Sequence, residues 1–214
     1  MGNPEETERL YHFEQPPLLL VFSGTSGSGK DSVVKALLER MKESQCPVHF
    51  VVTATTRPQR NDEANGVDYF FVSDAEFQQM IDRNELLEHA LVYGQHKGIP
   101  KRQIREALAS GKDVVLRLDV QGAAAIRRMS PDAILIFISA TSEEQLVAQL
   151  SRRRTESAQQ LQVRLETARE EMRHICEFDY VIPNREDRLE ETVNIALQII
   201  TAEKHRTRPR RATL

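Results

Sequence analysis

The residues whose spacing carries the most chemistry are Gly24-Thr25-Ser26-Gly27-Ser28-Gly29-Lys30. Gly24, Gly29 and Lys30 fall at the spacing of the Walker A phosphate loop. Glycines let successive backbone N–H groups turn inward around phosphate oxygens, and a helix starting near Lys30 adds the unpaired N–H groups of its first turn. Lys30 can reach the β- and γ-phosphates and follow their charge as it moves. Gly24, Ser26, Gly27, Ser28, Gly29, Lys30, Asp31 and Ser32 are therefore expected to hold a nucleoside triphosphate. One position departs from the pattern. The loop calls for Ser or Thr after the lysine, as a magnesium ligand, and here Asp31 and then Ser32 follow. Two readings are open. Asp31 meets the cation directly or through water, or it caps the helix and leaves the cation to substrate oxygens and water.

A second set of residues is sparser: Thr53, Arg57, Arg60, Tyr69, Glu88 and Asp119. Arg57 and Arg60 could clamp a dianionic phosphate, with the Tyr69 hydroxyl as a neutral donor that adds direction without charge. Asp119 follows an apolar strand, where open α/β sheets bind their ligands. Arg152-Arg153-Arg154 reads either as a solvated helix end, where cations suit the helix dipole, or as charge available to a triphosphate.

In combination these segments resemble the guanylate kinase family over residues 18–204. Thr53 to Arg60, followed by Glu63, Gly66, Asp68 and Tyr69, matches that family's acceptor-binding signature, and Glu88, Leu118 to Gly122, Arg153 with Arg164, and Val181 to Asn184 fall at its recurring positions. The Gly29-Lys30-Asp31 form of the loop and the segment Tyr93 to Pro100 look closest to the plant organellar branch. The resemblance implies ATP-dependent phosphorylation of GMP, and of dGMP, by direct in-line transfer with Mg2+ on the donor phosphates. Arg57, Arg60 and Tyr69 would hold the acceptor phosphate, Thr53, Glu88 and Asp119 would face guanine, Arg153 and Arg164 would form a closing lid, and Asn184 would approach adenine. Asp31, Ser32 and Asp119 are the candidate positions near the cation. The family's second phosphate-binding tyrosine is replaced here by Lys97, and its following Gly-Ser by Gly98-Ile99. A lysine offers a stronger but less directional charge, and Ile99 has no side-chain donor.

The chemistry of guanine agrees with two carboxylates. Guanine N1–H and N2–H are donors and a carboxylate only accepts, so adenine N1 would meet acceptor with acceptor. Because the acceptor is already an anionic phosphate oxygen, charge neutralisation and alignment are needed more than a general base. Two rivals remain: a phosphate-loop kinase for another phosphorylated acceptor, and a kinase-like module that binds a phosphorylated protein. The intact loop lysine speaks against the second.

The elements that must position these residues alternate along the chain. Leu18 to Ser23 reads as a central strand covered on both faces, followed by a helix with Val33, Val34, Leu37, Leu38 and Met41 on one side. Strands are expected over Val48 to Thr53, Tyr69 to Val72, Leu86 to Tyr93, Val114 to Leu118, Ala133 to Ser139 and Phe178 to Pro183. Helices are expected after the capping boxes Ser73/Glu76 and Thr141/Glu144, and over Arg102 to Ala109, Gly122 to Met129, Leu161 to Ile175 and Leu189 to Ile200. Gly94 to Gly98 reads as a polar turn, and His205 to Leu214 as a disordered basic tail. The fold class is α/β: a P-loop three-layer fold with a largely parallel central sheet, an inserted nucleoside monophosphate-binding lobe and a short lid. The expected division is a flexible leader at 1–17, a core of 18–52, 111–140 and 165–204, an acceptor lobe at 53–110, a lid at 141–164 and a tail at 205–214.

A net charge of −3 argues against a general grip on nucleic acid. The longest apolar run, Leu18 to Phe22, is too short to cross a bilayer, and no membrane partner is expected. Cys46 and Cys176 lack paired spacing and are expected to be small buried or half-buried side chains in a reducing compartment. The first seventeen residues hold Glu5, Glu6, Glu8 and Glu14 without a basic segment, so a cytoplasmic enzyme is expected, with a mature organellar form as the alternative. A monomer is the expected state, a dimer the alternative.

Overall fold

The computed structural model describes residues 14–60, 63–92, 94–151 and 158–213. The apolar run near the start forms β1 (Leu19–Gly24), buried along its whole length, and the helical apolar spacing after the glycine loop forms α1 (Lys30–Glu43). Then come β2 (Val48–Phe50), β3 (Ala54–Thr55), β4 (Phe70–Phe71), α2 (Asp74–Asp82), β5 (Leu86–Val92), β6 (Gln95–Pro100) and α3 (Lys101–Ala109). The second half holds β7 (Asp113–Arg117), α4 (Val120–Met129), β8 (Ile134–Ser139), α5 (Glu143–Ser151), α6 (Ala158–Arg173), β9 (Tyr180–Pro183) and α7 (Leu189–Lys204).

Five strands form a parallel sheet in the order β2-β7-β1-β8-β9, so the strand that feeds the glycine loop lies at its centre. Alternate residues of β1 serve opposite faces, as the two-residue repeat of a strand requires. Leu20 and Phe22 pack with Val33, Val34, Leu37 and Met41 of α1 and with Val193, Ala196 and Ile200 of α7. Leu19 and Val21 pack with Ile104 and Ala107 of α3 and Ala123 and Ile126 of α4. Each such side chain stabilises the fold by about 1.5–3 kcal/mol when fully buried. The result is the expected three-layer α/β arrangement, with ligand-accepting loops at the carboxyl ends of the strands.

A second sheet, β4-β3-β6-β5, mixes parallel and antiparallel pairs. Its small core of Ala54, Phe77 and Leu86 is covered by α2, whose start is fixed by the expected capping box: Ser73 and Glu76 satisfy each other's backbone N–H groups.

Four expectations are corrected. The supposed turn Gly94 to Gly98 is mostly strand β6, paired with β3 on one side and β5 on the other, and only Gly94, at φ 75°, makes the tight turn. The cap of α5 shifts by one residue: Ser142 Oγ accepts the Gln145 N–H, and Thr141 N–H donates back to Gln145 Oε1, so Thr141 and Glu144 form no box. Residues 205–213 do not trail away. Arg210 pairs with Glu203 and Asp179, the Arg211 N–H donates to Asp132, and Ala212 packs on the α3/α4 side of the core. Buried Glu203 supplies a counter-charge that composition alone does not show. Both cysteines are exposed, not buried. Among the described residues no helix is long and apolar enough to cross a membrane.

Candidate active site

The glycine loop leaves β1 at Gly24, where a Cβ would lie 2.0 Å from the Ile138 carbonyl oxygen, so only glycine lets the loop pass β8 this closely. Gly29 caps α1 in a left-handed conformation, φ 79°, and a Cβ there would strike the Asn184 amide at 2.5 Å. That amide is buried and bonded at both ends. Its Nδ2 donates to Ser28 O at 2.7 Å, and its Oδ1 accepts from the Thr192 hydroxyl at 3.0 Å. Asn184 thus ties the loop to the end of β9 and to α7, although it also lines the adjoining cavity. Inside the loop, Thr25 Oγ1 and Ser28 Oγ are buried without a hydrogen-bond partner among the described residues.

Lys30 Nζ donates to Leu118 O at 2.9 Å, across from the end of β7. Removal from water pushes its pKa below the ordinary lysine value, against the pull of Asp31, Glu171 and Asp119. Ser26 is held from above by α6: its N–H donates to Glu171 Oε2 at 2.8 Å, and its Oγ accepts from Arg164 Nη2 at 3.0 Å. Burial raises the pKa of Glu171, offset in part by the Ser26 N–H and Lys30. Nothing in the sequence marked Glu171, which reads as one more acid on a polar helix. Ser26, Lys30, Asp31, Asp119, Arg164 and Glu171 line a cavity of about 1010 Å³, a size suited to a nucleotide.

A smaller cavity of about 220 Å³ adjoins it, lined by Thr53, Tyr69, Glu88, Lys97, Arg117 and Asp119 among others. Glu88 is half-buried, its Oε2 has no partner among the described residues, and burial followed by the Asp119 charge raises its pKa. Asp119 is the N-cap of α4: one oxygen accepts the Gly122 N–H at 2.8 Å, while the residue lines both cavities. Asp31 does not cap α1, whose N-cap is Gly29; it faces Arg117, with Oδ1 3.5 Å from Nε. Ser32 lines the larger cavity.

The expected arginine clamp is arranged differently. Arg57 bonds Glu63 at 2.6 Å and the Pro58 carbonyl, and its guanidinium lies 5.2 Å from the Tyr69 ring centre. Glu63 also accepts the Arg60 N–H, and the Arg57 bond holds its carboxyl below the usual range. Neither arginine lines the smaller cavity, although Tyr69 does. Arg153 lies outside the described residues, whereas its expected partner Arg164 reaches the loop.

A family model described as guanylate kinase matches residues 17–203. The chain belongs to the guanylate kinase family. It is 51% identical over 195 residues to guanylate kinase 2, chloroplastic/mitochondrial, of Oryza sativa subsp. japonica, covering 91% of this chain and 67% of that one. It is 45% identical to the guanylate kinase of Thermobifida fusca, over 80% of this chain and 85% of the relative. The crystal structure of guanylate kinase from Anaplasma phagocytophilum superposes with a TM-score of 0.72 at 31% identity, covering 91% and 90% of the two chains. Use of ATP and Mg2+ accords with membership. Asp31 and Asp119 both line the larger cavity, and such carboxylates suit a magnesium ion that takes the rest of its shell from water and phosphate oxygens.

Proposed function

We propose that this chain transfers the γ-phosphoryl group of ATP to GMP, and also to dGMP, in one in-line step, yielding ADP and the nucleoside diphosphate. The observation that carries this reading is a shared wall: Lys30, Asp31, Lys97 and Asp119 line both cavities. A donor in the larger cavity and an acceptor in the smaller would meet across Lys30. The loop amides, the buried hydroxyls of Thr25 and Ser28, and the start of α1 would hold the donor phosphates. Lys30 and Arg164 would offset the negative charge as it shifts toward the acceptor, and Arg153 is assigned to the same task by resemblance. Mg2+, held by Asp31, Ser32 or Asp119 together with phosphate oxygens and water, would neutralise charge on the donor.

Thr53, Glu88 and Asp119 would face guanine. The unpartnered Glu88 oxygen supports this, because guanine presents adjacent N1–H and N2–H donors to a carboxylate, whereas adenine presents an acceptor at N1. Tyr69, Lys97 and the Arg57/Arg60 loop would hold the acceptor phosphate. Asn184 supports the donor site by anchoring Ser28, and Gly29 leaves room for its amide. The rice relative's name favours an organellar compartment over a cytoplasmic one.

A coupled assay with GMP, dGMP, AMP, UMP and a ribose phosphate tests the acceptor. GMP and dGMP should turn over, and turnover limited to another acceptor would overturn the reading. Lys30→Met should lower kcat by about 10²–10³-fold while its melting curve stays close to that of the unmodified protein.

A further inference from the structure

The two arginines expected on the acceptor phosphate are not among the residues that line the smaller cavity, yet another arginine is. Arg117 stands at the carboxyl end of β7, two residues before Asp119. Its guanidinium carbon sits 5.5 Å from the Phe50 ring centre and 6.0 Å from that of Tyr69. The stem is therefore fixed by a core strand and the head is flanked by two aromatic rings. The side chain is 23% exposed. Its only ion pair among the described residues is with Asp31, at 3.5 Å, where a charge-assisted bond would be shorter, about 2.7–2.9 Å. Asp31 is itself 68% exposed, and a loose pair with so open a partner stabilises little. Arg117 is thus a permanently charged, planar donor, held firmly at its base and weakly at its tip, on the wall of the smaller cavity and paired with a residue, Asp31, that lines both.

We propose that Arg117 is a ligand of the acceptor phosphate and that Asp31 holds its guanidinium until that phosphate arrives. This role rests on the smaller cavity being the GMP site. It also accounts for an aspartate beside a triphosphate loop, where an unbalanced negative charge would repel the donor: the same carboxylate is balanced by Arg117 before substrate binds. Exchanging Asp31 for a dianionic phosphate, which can take two N–H bonds from one guanidinium, favours the bound state.

Equilibrium binding of GMP, measured by calorimetry on the full chain without ATP or Mg2+, tests the role apart from turnover. Arg117→Gln should weaken GMP binding by about tenfold or more, Arg117→Lys should recover part of the loss, and competition by guanosine, which lacks the phosphate, should be unchanged in both. Asp31→Asn should tighten GMP binding in the unmodified background and have a smaller effect beside Arg117→Gln. Unchanged GMP affinity in Arg117→Gln, an equal loss for GMP and guanosine, or strictly additive effects of the two substitutions would overturn the proposal. Failure of the unmodified protein to bind GMP is a separate outcome, which would overturn the acceptor site itself.

Discussion

Glu171 illustrates how one side chain ties stability to the substrate site. Its carboxylate accepts the Ser26 N–H, a group placed to meet phosphate, and burial raises its pKa above the ordinary glutamate value of 4.5. A carboxyl with a raised folded-state pKa binds more protons folded than unfolded through the window above 4.5, so stability falls as pH rises through that window. Its unfavourable contribution is absent below the unfolded value and complete above the folded one. Glu171→Gln can still accept from Ser26, so it should flatten this part of the pH dependence and raise the melting temperature at neutral pH. Calorimetric scans at pH 5 and pH 7.5 check this; an undiminished fall between them would count against Glu171 as a source. Glu88 carries the same kind of cost, and it is the side chain expected to read guanine. Glu88→Gln should lower kcat/KM for GMP by roughly ten- to a hundredfold, read in the coupled assay.

Among the elements, the loop and its anchor form a unit that spans three separate parts of the sequence. Asn184 at the end of β9 and Thr192 in α7 hold Ser28 in place. Asn184→Ala removes a buried amide with two partners and should cost about 1–3 kcal/mol in urea unfolding, with weaker ATP binding because the loop loses its support. The sequence made β1, α1 and the Ser73 cap legible because each depends on local pattern: an apolar run, a helical stripe, a four-residue capping box. β6 was not legible. Gln95, His96 and Lys97 look like turn residues, and their strand geometry comes from pairing with β3 and β5. Site residues divide the same way. Lys30 and the glycines announce themselves by spacing, and the acceptor set by family resemblance. Arg117 and Glu171 are ordinary charged residues until the fold brings them to Asp31 and Ser26.

For the whole molecule, the C-terminal segment closes the core instead of trailing from it. Glu203 is 2% exposed, and it accepts from the Tyr180 hydroxyl and from Arg210. Arg210 also reaches Asp179. Arg210→Ala should therefore cost about 1–3 kcal/mol, with KM values for both nucleotides unchanged, since the pair lies away from both cavities; denaturant titration and the coupled assay separate the two effects.

The same segment lies against the entry to the fold: Lys204 donates to the Pro16 carbonyl and bonds Asp113 at the start of β7, and Arg211 pairs with Glu14. Residues 14 and 211 thus meet at the amino ends of the parallel strands, while the glycine loop and Asp119 sit at the carboxyl ends. A tether, reporter or bearing surface joined near that seam would leave the mouth of the cleft pointing away, open to diffusing nucleotides, and a chain spliced across it would need only a short bridge.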